Sequence, residues 1–457
     1  GFGATGAVNW DVSSIKTVDF TAVSGVGYFV DTATTGAVEV TLPAAPAVGD
    51  VVGVADYANN FGTANCTLNR NSLKIGGNTT NSIMATNGVA VTLVYVDVTK
   101  GWIVTDSGNQ SDAPGPTYLI ATGGCITTCG NYKMHTFYSP GTFGVTQLAS
   151  PAGGPNSVDY LVVAGGGGGG AGATPAHGAG AGGAGGYRES PGTATGCYTV
   201  SPLGAAPATA LPMSLQCYAV TVGSGGPSGP GCTQAKATSG NDSTFSTITS
   251  AGGGGGGGSG YNPSGAPNGV NGGSGGGGGS ECSAGIPSPN PAPGGGGGAG
   301  NTPPVNPAQG NDGGYGSNGP APSLRTGGGG GATGNGNDGP AGAPVNGAGG
   351  TGGGTAINLT TMPAPSPTPS AQIGTPGPSP SVRYFAGGGG GGGTTGQNTG
   401  GTGGYGGGAN GVAPNSSGSA GTINTGGGGG GGGGGPPVGS VGTNGGSGIV
   451  VIRYRYQ

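Results

Sequence analysis

Apolar and polar residues alternate one by one in several short stretches near the start of the chain. Val38, Val40 and Leu42, for example, are separated by single polar residues. A period of two places one set of side chains on a buried face and the other on an exposed face, as in a β-strand. Further strand-like stretches, separated by turn-forming residues, occur at residues 17–22, 28–31, 51–57, 89–98 and 102–105. The pattern predicts an all-β module over residues 1–113, built as a small sandwich or barrel.

Residues 114–163 are also rich in strand-forming residues and are expected to form a β bridge that opens a second region. Its apolar stretches are TYLIATGG, YKMHTFYSPGTFGVTQ and SVDYLVVAGG. One more apolar strand, Ile449–Tyr456, stands at the end of the chain. Because apolar strands flank everything between them, we expect the terminal strand to return and pair with the opening strands.

Between these strands the hydrophobic pattern is interrupted by long runs of glycine. Residues 114–457 hold 109 of the 123 glycines, yet no Gly-X-Y period runs through them, which distinguishes them from collagen. Short apolar strands and segments rich in Asn, Ser, Pro and Thr separate the runs. The glycine runs cover residues 165–170, 252–258, 275–279, 294–298, 327–331, 387–393 and 426–435.

Runs of this length favour a particular way of packing backbone. Glycine is a poor residue for a helix interior, where it costs about 1 kcal/mol relative to alanine. An extended helix of the polyproline-II type has three residues per turn and no internal hydrogen bonds, so its N–H and C=O groups need neighbouring chains. Because glycine has no Cβ, such helices can approach closely on all sides. Residues 164–457 are therefore predicted to form a bundle of parallel and antiparallel polyglycine-II helices, framed by β-strands and closed by strand 449–456.

Charge is scarce and unevenly distributed. The chain has 11 Lys or Arg and 15 Asp or Glu, and nine of the acids lie in residues 1–113. The glycine region is close to neutral and has no basic stripe, so nucleic-acid binding is not expected. No apolar stretch of about 18 residues occurs, so no membrane span is expected. The chain begins Gly-Phe-Gly without methionine, as expected of a processed chain or a fragment.

The residues that carry most enzyme chemistry are sparse. No GxxxxGK phosphate loop occurs, and His135 and His177 stand isolated, so His135 is expected to be a framework residue of a strand. The cysteines match no zinc spacing, and neither a metal nor another cofactor is predicted. Cys197 and Cys217 bracket an insertion and are candidates for a disulfide; further candidate pairs are Cys125 with Cys129 and Cys232 with Cys282. The sequence predicts a protein without enzymatic activity.

Two parts of the chain resemble known families. The string VEVTLPAAPAVGDVVGVADYANNFGTANCTLNRNSLKIGG, followed by VTLVYVDVTKGWIVTDSGN, resembles a β module of virion structural proteins and tail fibres of marine bacteriophages. Residues 117–457 resemble the glycine-rich domain of phage tail fibres and adhesins. The second resemblance rests on HTFYSPGTF (His135–Phe143), DYLVVAGGGGGG (Asp159–Gly170), GGYRES (Gly185–Ser190) and the terminal GSGIVVIRYRY.

The resemblance implies a virion fibre, either a tail fibre or an adhesin, that presents loops to the host surface. It implies a homotrimer on the outside of the virion, with other virion proteins and a host receptor, a glycan or an outer-membrane protein, as partners. A capsid-decorating fibre and a subunit of an extracellular filament or matrix are the alternatives. Three tyrosines outside the predicted strands, Tyr261, Tyr315 and Tyr405, could face a receptor, because tyrosine offers a flat ring and a hydroxyl. Each ring could equally cover the side or the end of the bundle.

Overall fold

The computed structural model divides the chain into two compact units. Unit 1 comprises Gly1–Tyr118 and Ala149–Gly154, and unit 2 comprises Leu119–Leu148 and Pro155–Gln457. The structure describes residues 8–105, 116–174, 176–194, 198–231, 235–260, 268–280, 294–317, 324–339, 346–357, 373–395, 399–436 and 439–457.

The described part of unit 1 consists of two β-sheets. Its strands are β1 (Asn9–Lys16), β2 (Phe20–Thr21), β3 (Val26–Val30), β4 (Val38–Thr41), β5 (Val51–Asp56), β6 (Cys66–Asn69), β7 (Ser82–Met84), β8 (Ala90–Asp97) and β9 (Gly101–Val104). One sheet has the order β1-β3-β5-β8-β9 and the other the order β2-β4-β6-β7. From β1 to β6 the chain changes sheet at every step, and the pairs within each sheet are parallel over this stretch. The pairs that β7, β8 and β9 form are antiparallel.

One apolar cluster contains residues from both sheets of unit 1. Val52 and Val54 of β5 belong to it together with Val40 of β4 and Leu68 of β6, and all four side chains are fully buried. Along β4 the buried valines alternate with half-buried Glu39 and Thr41, as the period of two predicts. The prediction of an all-β module is therefore confirmed.

The described part of unit 2 contains two larger sheets and a small two-stranded sheet of β20 and β21. Its strands are β10 (Ile120–Thr122), β11 (Cys125–Cys129), β12 (Tyr132–Phe137), β13 (Gly141–Gln147), β14 (Ser157–Val163), β15 (Tyr187–Glu189), β16 (Leu211–Pro212), β17 (Cys217–Thr221), β18 (Ser243–Phe245), β19 (Ile248–Ser250), β20 (Gly353–Thr355), β21 (Arg383–Phe385) and β22 (Ile449–Arg455). One sheet has the order β10-β13-β17-β18-β19, and the other the order β11-β12-β22-β14-β15 with β16 beside β14. Among the described residues of this unit one 3-10 turn occurs, Pro202–Gly204, and no described helix is long and apolar enough to cross a membrane.

The terminal strand β22 lies in the middle of its sheet. It pairs antiparallel with β12 on one side and with β14 on the other, which confirms that the end of the chain returns to the opening strands. Both faces of β14 are covered: Tyr160 and Val162 belong to one apolar cluster, and Leu161 and Val163 to another. Burial on both faces explains why residues 160–163 of β14 and residues 449–452 of β22 are continuous apolar runs rather than alternating ones.

The glycine runs bond laterally to other runs, with a period of three residues. In segment 164–172, Gly166, Gly169 and Gly172 donate to the carbonyls of residues 446, 443 and 440 in turn, at 2.9–3.0 Å. Gly167 and Gly170 donate to residues 183 and 180 of a second neighbour, and Gly165 and Gly168 to residues 241 and 238 of a third. Successive N–H groups therefore point in three directions and repeat every third residue.

The carbonyls of the same segment accept hydrogen bonds from three further neighbours. Residues 226 and 229, 253 and 256, and 429 and 432 donate to them, always in increasing order. Segment 164–172 thus has six hydrogen-bonded neighbours: the three that accept from it run antiparallel, and the three that donate to it run parallel. A Cβ on Gly167 would lie 2.2 Å from the carbonyl oxygen of Gly254, so this packing requires glycine there.

Candidate binding groove beside Tyr315

Segments on the outside of the bundle lack neighbouring segments on one side. Side-chain oxygens of Asn and Asp take the place of the backbone carbonyls that such neighbours would provide. Asn268 and Asn271, three residues apart, accept hydrogen bonds from the N–H groups of Gly296 and Ala299, at 2.7 and 2.8 Å. The side chains thus follow the same three-residue period as the backbone bonds. An N–H group that would otherwise face solvent or remain unpaired is bonded in this way.

The same kind of hydrogen bond occurs at a short motif, Gly-Asn-Asp, which is present three times and whose last residues are Asp242, Asp312 and Asp338. Each aspartate uses its Oδ1 to accept a hydrogen bond from the backbone of another segment, at 2.7–2.8 Å. The donors are Gly252, Gly300 and Tyr315, in that order. Each carboxylate therefore fixes the position of an adjoining segment, and the one at Asp338 holds the backbone of Tyr315.

Three such outer segments border a groove of about 470 Å³ on the bundle. Gly297, Gly298, Gly313 and Gly336 contribute backbone without side chains to it. The side chains that border it are those of Ala299, Asp312, Tyr315, Asn335, Asn337 and Asp338, and all six residues are exposed. The groove therefore combines one aromatic ring with amides and carboxylates, over a surface that is mostly backbone.

Tyr315 is the aromatic residue of this groove. It is 53% exposed, and its ring makes no stacking contact with another aromatic residue in the described part of the chain. A Cβ added to Gly296 would lie 3.9 Å from Cε1 of Tyr315, so Gly296 adjoins the edge of the ring. The ring is thus available to a ligand, while the backbone N–H of Tyr315 is bonded to the Asp338 carboxylate.

Tyr405 is as exposed as Tyr315, at 53%, but its surroundings differ. Its ring centre lies 6.3 Å from that of Tyr384, and its carbonyl accepts a hydrogen bond from Gly352 at 2.8 Å. Gly406 and Gly407 follow with φ of 101° and 94°, a left-handed conformation that glycine adopts without strain. Tyr405 thus immediately precedes a turn and packs against a second tyrosine.

The charge of the groove is negative. Asp312 and Asp338 border it, and its lining residues include neither Lys nor Arg. Both carboxylates are exposed. The carboxylate and amide groups of the groove offer hydrogen-bond partners to a hydroxyl-rich or amine-bearing molecule.

The other residues singled out in the sequence lie elsewhere. Tyr261 and Cys197 are outside the described residues, so neither the role of Tyr261 nor the Cys197–Cys217 disulfide is tested, and both stay predictions. Cys217 has an exposed side chain at the start of β17. The candidate pair Cys232 and Cys282 also lies outside the described residues.

The candidate disulfide between Cys125 and Cys129 is wrong. The two residues are the first and last of strand β11. An extended strand rises about 3.3 Å per residue, which puts their Cα atoms about 13 Å apart, whereas a disulfide needs less than about 7 Å.

His135 is a framework residue, as expected. It is fully buried on β12, with Nδ1 2.6 Å from the Gly123 carbonyl oxygen and Nε2 3.2 Å from the Tyr454 hydroxyl. Since a carbonyl only accepts, Nδ1 carries the proton and Nε2 accepts from Tyr454, whose oxygen accepts in turn from the Ala121 N–H. Burial lowers the pKa of His135, which keeps the ring neutral in this arrangement.

His177 is also buried, and its backbone exchanges two hydrogen bonds with that of Ala173. Burial lowers its pKa as well. Among the described residues no three metal-ligating side chains come together, there or elsewhere.

Glu189 and Arg453 are buried charged residues that were not singled out from the sequence. Glu189 ends β15 and accepts hydrogen bonds at Oε2 from the Tyr187 hydroxyl and the Ser201 N–H, at 2.8 and 3.0 Å. Burial raises the pKa of Glu189 to about 7. Arg453 lies within β22 with its guanidinium 4.4 and 4.8 Å from the ring centres of Tyr132 and Tyr198. Both residues are almost fully buried inside the framework, away from solvent.

The fold and groove together define a class of protein: a β-framed scaffold of laterally bonded, glycine-rich segments. The chain belongs to the glycine-rich domain family, whose model matches residues 139–455. A comparison with curated proteins gives no match.

Proposed function

We propose that the protein is a non-enzymatic fibre protein of a bacteriophage virion that attaches the particle to the surface of its host. The proposal rests on the resemblance of residues 16–112 to a module of virion proteins and tail fibres, and on that of residues 117–457 to phage adhesins. Membership of the glycine-rich domain family supports the second of these. In this proposal the glycine bundle is the part that meets the host.

The glycine segments are, in our proposal, polyglycine-II helices. Hydrogen bonds that repeat every third residue in three directions are what a helix with three residues per turn requires. Six neighbours around segment 164–172 fit a hexagonal arrangement. Such a bundle holds surface side chains rigidly, so little conformational entropy is lost when a receptor binds.

The proposed assembly is a closed homotrimer on the outside of the virion. Fibre proteins with short strands gain from closed symmetry, because each copy covers strand edges of the next. Tail and capsid positions are both compatible with the sequence. An extracellular filament without a virion is the alternative that the experiment has to distinguish.

The decisive experiment is cryo-electron microscopy of the native particle, with the symmetry of the chain assigned. A closed trimer that projects from a tail or capsid supports the proposal. An open helical polymer without a particle refutes it and leaves the filament alternative. Adsorption of particles to host cells in the presence of purified chain tests the attachment role, and competition by the chain is the expected result.

A further inference from the structure

We infer that the groove beside Tyr315 binds a neutral or amine-bearing saccharide. This inference rests on the proposed attachment function, because it names the class of molecule that the chain would recognise on a host surface. Its basis is the combination of an exposed ring, polar side chains and bare glycine backbone in a single depression.

The size and lining of the groove fit a saccharide. A volume of about 470 Å³ lies within the range of about 300–1,000 Å³ that is typical of small-ligand sites. Most such sites are lined by apolar side chains, whereas this one presents Asp312, Asn335, Asn337 and Asp338. Those four side chains offer hydrogen-bond acceptors and donors to hydroxyl groups, and Tyr315 offers a face on which the C–H side of a sugar ring can stack.

The groove is also preorganised. Asp312 and Asp338 are fixed by their bonds to Gly300 and Tyr315, and the backbones of neighbouring segments are bonded to each other. Gly313 N, for example, donates to Gly298 O at 3.0 Å. Because the glycines carry no Cβ, a ligand can approach the backbone closely. Binding therefore requires little ordering of the protein.

The negative charge decides which saccharides are accepted. Carboxylates or sulfates of an acidic sugar would lie near Asp312 and Asp338, with no basic residue among the lining residues to compensate. An amine would instead gain a charge-assisted hydrogen bond. Uronic and sialic acids should therefore be rejected, and neutral, N-acetylated or amino sugars accepted.

The test is an oligosaccharide array that carries neutral, N-acetylated, amino, uronic and sialylated glycans, probed with the full-length chain, with calorimetry on the best-bound glycan. Tyr315→Ala should weaken binding about tenfold or more, and Tyr315→Trp should retain it, since an aromatic face is kept. Tyr405→Ala is the matched control, because Tyr405 has the same exposed fraction but lies outside the groove. Thermal unfolding of each variant verifies that it is folded.

Asp312→Asn together with Asp338→Asn tests the charge argument. Asparagine keeps the oxygen that accepts from Gly300 and Tyr315, so the groove is retained while its charge is removed. The double variant should bind acidic glycans that the natural chain rejects. The bound glycan should be recovered intact after incubation.

Three results would overturn the inference: binding to acidic glycans only, no binding to any saccharide on the array, or saccharide binding that Tyr315→Ala leaves unchanged. The attachment function fails separately, if the chain neither forms part of a virion nor competes for host cells. A chain that competes for cells but binds no saccharide refutes the groove and leaves the attachment function standing.

Discussion

The lateral bonding of the glycine segments makes a sharp prediction about two glycine-to-alanine substitutions. Gly167 lies in the six-neighbour segment, and a Cβ there would be 2.2 Å from the carbonyl oxygen of Gly254. Gly296 also lies in a run of consecutive glycines, yet the nearest atom to its added Cβ would be Asn268 Oδ1 at 3.5 Å, an ordinary contact. The two substitutions are chemically identical and differ only in their surroundings.

The cost of Gly167→Ala follows from the hydrogen bonds that it disturbs. The two segments must separate by about 1 Å to reach the 3.4 Å of an ordinary contact. The bonds that join these two segments, from Gly253 N to Gly165 O and from Gly256 N to Gly168 O, are both 2.9 Å long, and each buried bond left unmade costs about 1–3 kcal/mol. The reduced entropy of the unfolded chain returns about 0.4–1 kcal/mol. We expect a net loss of about 1–5 kcal/mol.

Gly296→Ala should change the free energy of unfolding by about 0.5 kcal/mol at most on the destabilising side, as surface substitutions usually do. Calorimetry of both variants follows the unfolding of the whole chain. The two tryptophans, Trp10 and Trp102, both lie in unit 1, so tryptophan fluorescence follows that unit and serves as an internal control. The reasoning would be refuted if the two variants were equally stable. It would also be refuted if Gly167→Ala shifted the tryptophan fluorescence transition as much as the calorimetric transition.

Two further predictions concern the buried charged residues of the framework. Burial raises the pKa of Glu189 from 4.5 to about 7, so the folded state binds the proton of this carboxyl group more tightly than the unfolded state does. The contribution of Glu189 to stability is therefore fully present below pH 4.5 and is lost as the pH rises through 7. Glu189→Gln should remove this pH dependence. The difference in unfolding free energy between the natural protein and the variant should change by about 3 kcal/mol between pH 4.5 and pH 8. A difference that stays constant over this range would contradict the prediction. Arg453→Lys should lower the free energy of unfolding by about 1–2 kcal/mol, because lysine lacks the planar group that contacts the rings of Tyr132 and Tyr198. Arg455→Lys, at an exposed position on the same strand, is the control and should leave the free energy of unfolding unchanged in the same denaturation series.

The sequence was informative wherever a local pattern has a unique structural outcome. Alternation identified strands such as β4, and the apolar run at the end of the chain correctly indicated that β22 pairs with the opening strands. The isolated His135 was correctly assigned to the framework, because nothing near it in sequence could act with it.

Pairing partners were beyond local patterns. The strands of unit 1 could be recognised from the sequence. That the chain changes sheet at each step from β1 to β6 could not be predicted, because alternation shows which face of a strand is buried but not which strand lies beside it. Glycine segments are a stronger case. Any glycine run fits beside any other, so the neighbours of segment 164–172 depend on turns and closing strands far away in the sequence.

The groove could be anticipated only in part. Tyr315 stood out as an aromatic residue outside the strands, but Tyr405 stood out equally. The structure separates them, because Tyr405 packs against Tyr384 and lies outside the groove. Asp312 and Asp338 accept hydrogen bonds from backbone N–H groups of residues that lie 12 and 23 positions away, and no local sequence pattern indicates such partners. The repeated Gly-Asn-Asp at residues 240–242, 310–312 and 336–338 was the signal that could have indicated a shared role.

The three-residue repeat of the lateral bonds restricts how the bundle can change in length. If the segments are polyglycine-II helices, as we propose, one residue inserted into an outer segment would turn every later position by a third of a revolution. Tyr315 would then point into the lattice, and a glycine would occupy its place at the surface. Insertions and deletions of three residues keep each side chain on its own face and extend or shorten the displayed surface by one repeat. Length variation within such segments is therefore expected in steps of three, while single substitutions at outward positions leave the lattice intact.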